Sequence, residues 1–302
     1  MLVAYHVIGI GPDSGLKLQS GILKDANALL AYIRMPLFTF LSGLVYGWRP
    51  YSGNWKAFIK GKIRRLIVPM LFIGTIFAIF QAITPGTSNH ICDWQCLHLM
   101  PVAHYWFLES LFLIFLVILL LEQWKALETK INFAIIFFIA AIAFVGNIGT
   151  PWLSIAGTFY LFTYFLAGLY FTRFPLQLTH PRATGYIAVT LVILFLVFFG
   201  NEYGGGRRSI NALIIGLVSC AGLLLTKAES TKLATIGNYS YSIYLFHIFF
   251  TAASRIGLTK LGISNIWLLF IAGTSAGLIG PIVIENIAQR NKTARTLLLG
   301  KS

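Results

Sequence analysis

The stretch YIRMPLFTFLSGLVYG, Tyr32 to Gly47, is apolar for the length of a membrane-crossing helix and yet carries an arginine and a proline near its start. A guanidinium held in hydrocarbon costs several kcal/mol, roughly 2.5 to 3.5 at mid-helix, so it needs a partner or a wet cavity. Pro36 removes an amide donor and clashes with the carbonyl of Tyr32. That bends the helix and leaves backbone oxygens beside the charge. Arg34 lies about seven residues inside the span, roughly 10 Å at the helical rise, which is deep for snorkelling to the interface. It reads as part of a site.

Composition extends this reading to the whole chain. Of 302 residues, 57% are hydrophobic and 11% charged, far from the one-quarter charged of a soluble domain. The expected fold class is all-α: a polytopic transmembrane helix bundle of about ten helices with no soluble domain, forming one integral-membrane domain over residues 1–302. The expected spans are 1–11, 27–48, 66–84, 105–121, 131–148, 157–172, 184–200, 209–226, 236–254 and 265–284. The first is too short to cross and reads as a truncated helix.

The net charge of +14 raises nucleic acid as a partner, but the basic residues are scattered and no nucleic-acid motif occurs. They concentrate instead in alternate loops, most densely from Arg49 to Arg65. That asymmetry predicts both termini on the cytoplasmic side of a plasma (inner) membrane, with membrane lipid as the surrounding partner. Gly43 with Gly47 and Gly273 with Gly277 have the small-xxx-small spacing that lets helices approach closely.

His6, Arg34, Glu109 and His247 are the ionisable residues inside the expected spans. Each falls four to seven residues from an outer end, a common depth of roughly 6 to 12 Å at the helical rise. A histidine is the usual general base near neutral pH, and Arg and Glu neighbours would set its tautomer. The loop KAFIKGKIRRLIVP, with Lys62, Arg64 and Arg65, serves either as a plain topology signal or as a phosphate-binding mouth. HICDWQCLH holds His90, Cys92, Cys96 and His98; a Cys92–Cys96 disulfide, two free thiols and a zinc site are all open. No metal is assigned. Cys220 reads as packing.

RMPLFTFLSG from Arg34 to Gly43, KxxRLIVP from Lys62 to Pro69, YWFL from Tyr105 to Leu108 and NYSYSIYLFH from Asn238 to His247 together resemble the integral-membrane acyltransferase 3 family. That resemblance implies an acyl-CoA-dependent O-acyltransferase, and so an acyltransferase moving groups other than aminoacyl groups. Acyl-CoA, expected to be acetyl-CoA, would be a co-substrate, with no bound cofactor. The acceptor would be a hydroxyl of a sugar, a lipid-linked saccharide or a surface polysaccharide. It further implies that His6 and Arg34 are catalytic, that Lys62 and Arg65, with Arg64, bind the acyl-CoA phosphates, and that Glu109 and His247 form a supporting polar cluster. Lys62 stands where the family has arginine and loses the bidentate fork. A secondary transporter or flippase for a glycan-related substrate, and a noncatalytic membrane partner, are the rival readings.

Overall fold

The computed structural model describes residues 1–9, 11, 13–84, 94–200 and 206–301. Among them the chain is all-α. In order the helices are α1 (Leu2–Ile8), α2 (Ile22–Leu29), α3 (Ala31–Trp48), α4 (Trp55–Lys62), α5 (Val68–Ile83), α6 (Trp106–Gln123) and α7 (Lys130–Val145). They continue with α8 (Ile155–Arg173), α9 (Pro181–Phe199), α10 (Ile210–Thr226), α11 (Thr231–Gly237), α12 (Ser240–Lys260), α13 (Ile266–Ala288) and α14 (Lys292–Leu299). A π-helical turn, Ile63–Ile67, joins α4 to α5.

Every expected span falls on a helix, but the described residues hold fourteen α-helices, not about ten. The additional ones are α2, α4, α11 and α14, seven or eight residues each, which occupy segments expected to be loops or span ends. Asn54, Ser230 and Asn291 each accept amide hydrogens at the start of α4, α11 and α14, so side-chain caps start these short helices. Among the described residues five helical segments are long and apolar enough to cross a membrane, six when α2 and α3 count as one broken span. The chain is a multi-pass membrane protein by that measure.

Helix α3 runs on through Pro36. Helix α12 continues past the expected end at 254 to Lys260, so Arg255, expected in a loop, is helical. Helix α13 likewise continues past 284 to Ala288, and brings Glu285 inside the helix.

The chain divides into two compact units. The first comprises Met1–Leu30, Arg64–His98 and Ser230–Ser302. Here α12 and α13 pair along their length, and α1 packs on both. The small residues expected to matter do so, since Gly273 faces Val7, and Gly277 faces Val3 and Thr251. Helix α14 docks on α5 and α13 and buries Leu299 completely.

The second unit comprises Ala31–Ile63 and Leu99–Glu229. Its centre is the crossing of α3 and α8. A Cβ on Gly43 would lie 2.0 Å from the carbonyl oxygen of Phe165, and one on Gly168 would lie 1.9 Å from that of Phe40. The two backbones touch because neither position has a side chain. Gly47 meets Thr172 one turn further on. Cys220 is buried with Phe40 and Ala167, the packing role expected of it. Ile131, Phe138, Val197 and Phe198 are exposed apolar side chains on α7 and α9, as a lipid-facing surface requires.

Candidate active site

In the first unit the structure brings two of the expected residues into contact. His6 on α1 is half-buried, and His247 on α12 is fully buried. Their ring centroids are 4.9 Å apart and their planes tilt by 57°. Nδ1 of His247 lies 2.7 Å from the Ile243 carbonyl and 2.9 Å from that of Tyr244. Carbonyls only accept, so Nδ1 carries the hydrogen and donates it. The neutral ring therefore has its basic lone pair on Nε2. The rings of Tyr5 and His6 meet at a steep angle, 75°, with centroids 4.7 Å apart.

The position of helix α1 is fixed by contacts from outside it. The loop after it folds back, and the Leu16 amide donates to the carbonyls of Val7 and Ile8 at the helix end. Gly9, at φ 87, makes that reversal, where a side chain would collide with the Ser14 carbonyl. Buried Asn27 donates to the Gly9 carbonyl at 2.9 Å, and Arg255 to the Gly15 carbonyl at 2.6 Å. Neither Asn27 nor Arg255 stands out in the sequence, because their partners are backbone carbonyls far along the chain.

Glu285 was outside the expected span and is missing from the sequence-derived set. It is 3% exposed and accepts from Ser242 Oγ at 2.5 Å, Lys301 Nζ at 2.6 Å and Gln289 Nε2 at 3.0 Å. Arg64 and Arg65 are exposed on the π-helical turn, and the Tyr241 hydroxyl donates to the Arg65 carbonyl. A π turn interrupts the regular i to i−4 ladder and recurs at functional positions.

The second unit holds Arg34, Glu109 and Lys62. Arg34 is 4% exposed on α3. Buried Glu109 accepts from the Ser154 hydroxyl, while Ser110 Oγ donates to the Ser154 carbonyl at 3.0 Å. Ser154 and Leu153 both have φ 52, a left-handed backbone that non-glycine residues rarely adopt. Such strain persists only where surroundings fix it, and it lies beside the buried carboxylate. Lys62 Nζ sits 3.4 Å from the ring centroid of Phe115 and 5.1 Å from that of Phe58, so its ammonium rests on aromatic faces. Toward the other end of α6, Arg173 pairs with Glu122 at 2.6 Å and donates to the Leu127 carbonyl; Tyr46 donates to the same carboxylate at 3.1 Å.

His90 and Cys92 lie outside the described residues, and with them the choice between a Cys92–Cys96 disulfide, two free thiols and a zinc site. His98, from the same motif, contacts Thr75 Oγ1 through Nε2 at 2.9 Å.

The chain belongs to the acyltransferase 3 family: the family model, described as an acyltransferase domain, matches residues 1–286. It is therefore a membrane acyltransferase in the general sense. No curated protein and no solved structure matches it.

Proposed function

We propose that the protein is an O-acyltransferase that moves an acyl group, acetyl being the favoured case, from cytosolic acyl-CoA to a hydroxyl of a sugar, a lipid-linked saccharide or a surface polysaccharide. The observation that carries this reading is the contact of His6 with His247. The acceptor hydroxyl gives its proton to His6 as its oxygen bonds to the thioester carbonyl carbon. The tetrahedral oxyanion then collapses, the carbon–sulfur bond breaks, and the thiolate leaves with the proton returned by His6. His247, held in one tautomer by two carbonyls, offers a basic Nε2 and keeps the neighbouring imidazole oriented. Being a neutral base itself, it also tolerates the imidazolium that forms beside it.

Arg34, 4% exposed on α3, is assigned the stabilisation of an oxyanion, since a guanidinium in water-poor surroundings acts far more strongly than in water. Lys62, Arg64 and Arg65 are assigned to the acyl-CoA phosphates. Glu109 belongs to the supporting polar cluster. In this reading the chain is one domain in the plasma membrane with both termini cytoplasmic, so the phosphate-binding residues meet the compartment that holds the donor.

The test is an acyl-transfer assay on purified protein with labelled acetyl-CoA and a sugar acceptor. His6→Ala, in a chain that still inserts, is expected to lose roughly 100- to 10,000-fold in kcat, the range of general base catalysis. Activity near wild type removes His6 from the mechanism.

A further inference from the structure

Glu285, Lys301 and Gly300 take no part in the reaction just described, yet Gly300 packs on the backbone that carries two of its cations and Lys301 ties the neighbouring residue to Glu285. Helix α14 and Lys301 both lie beyond the residues that the family model matches. Glu285 holds three donors from three places: Ser242 on α12, Gln289 just after α13, and Lys301. A carboxylate so buried and so fully bonded fixes the relative placement of the segments that donate to it.

Gly300 ends α14 at φ 62, and its Cα abuts the π-helical turn. A Cβ there would lie 2.6 Å from the Arg64 carbonyl oxygen and 2.7 Å from Arg65 Cα, so chain packs directly on chain. The segment is closed on itself as well, because the Lys301 amide donates to the Arg295 carbonyl and Thr296 Oγ1 to the Lys301 carbonyl at 3.1 Å. Adjacent residues on α12 complete the arrangement. Tyr241 donates to the Arg65 carbonyl, and Ser242 to Glu285.

We propose that Glu285 and Lys301 form a clamp that seats Gly300 against the Arg64–Arg65 backbone and thereby sets how these two guanidinium groups meet the phosphates of acyl-CoA. The clamp rests on the acyltransferase reading above. Both are positioning residues, acting through the π-helical turn and not on the substrate. Because Tyr241 and Ser242 share α12 with His247, the same helix joins the donor mouth to the imidazole pair.

The experiment uses the full chain in detergent micelles, with two readouts. Equilibrium binding of coenzyme A itself is compared for wild type, Lys301→Ala, Lys301→Arg and Gly300→Ala, and amide hydrogen exchange is followed over residues 64–68. Lys301→Ala and Gly300→Ala are expected to bind coenzyme A roughly tenfold more weakly, with the loss in KM for acyl-CoA and not in kcat. Both should exchange faster over residues 64–68, and Lys301→Arg should restore both readouts. Unchanged exchange and unchanged affinity in Lys301→Ala overturn the clamp. So does a loss confined to kcat. A wild-type chain that binds no coenzyme A refutes the acyl-CoA reading instead, and the exchange measurement still decides whether the clamp exists.

Discussion

Adding one methyl group at Gly43 tests the architecture most directly. The Cβ of an alanine there would sit 2.0 Å from the carbonyl oxygen of Phe165. An ordinary contact needs about 3.5 Å, so α3 and α8 must part by about 1.5 Å. The obstacle is backbone, which has no rotamer to change. The reciprocal contact of Gly168 with the Phe40 carbonyl would be lost with the same displacement.

Overpacking of this kind costs roughly 1–3 kcal/mol, and a backbone obstacle places it at the upper end. Replacing glycine by alanine inside a helix returns about 1 kcal/mol. Gly43→Ala is therefore expected to be less stable than wild type by about 2 kcal/mol. Gly257 in α12 has open space where its Cβ would stand. Gly257→Ala should consequently gain about 1 kcal/mol. Reversible unfolding in mixed micelles, titrated with SDS and read by circular dichroism, measures both. A Gly43→Ala protein as stable as Gly257→Ala would refute the close crossing of α3 and α8.

Arg173→Ala strands a largely buried carboxylate at Glu122 and frees the Leu127 carbonyl. A loss of about 3 kcal/mol is expected in the same titration, with Glu122→Gln losing less because an amide still meets Tyr46. Ser154→Ala takes the hydroxyl donor from buried Glu109 and should cost about 2 kcal/mol in the same titration. Burial holds the His98 imidazole below its ordinary value of 6.5. The unfolded chain therefore takes up the proton first as pH falls, so stability is unaffected above about pH 6.5 and declines below it. His98→Gln should flatten that decline, as melting temperatures between pH 7.5 and 5 will show. Arg255→Ala releases the loop that seats α1 and should lower acyl-transfer activity through His6, with little change in affinity for coenzyme A.

Much of this molecule is written in composition and local spacing. Apolar runs mark the helices because the bilayer imposes their length, and Gly43, Gly47, Gly273 and Gly277 lie where helices touch because their spacing puts small residues on one face. The pairing of His6 with His247 was open to inference only as a shared depth, since sequence gives the height of a residue in a helix but not which way it faces. Glu285 escaped because apolarity fades before the hydrogen-bonded helix ends, and Pro281 lies inside α13 without stopping it. Asn27 and Arg255 escaped for another reason: a bond to a main-chain carbonyl leaves no complementary residue type at the other end. The left-handed backbone of Leu153 and Ser154 carries no glycine or asparagine to announce it.

The helix Leu2–Ile8, which carries His6, is held by α12 and α13, by Asn27 on the Gly9 carbonyl and by the Leu16 amide on its last carbonyls. Lesions that merely slacken its supports, without altering a reacting group, would leave an inserted, folded and silent protein.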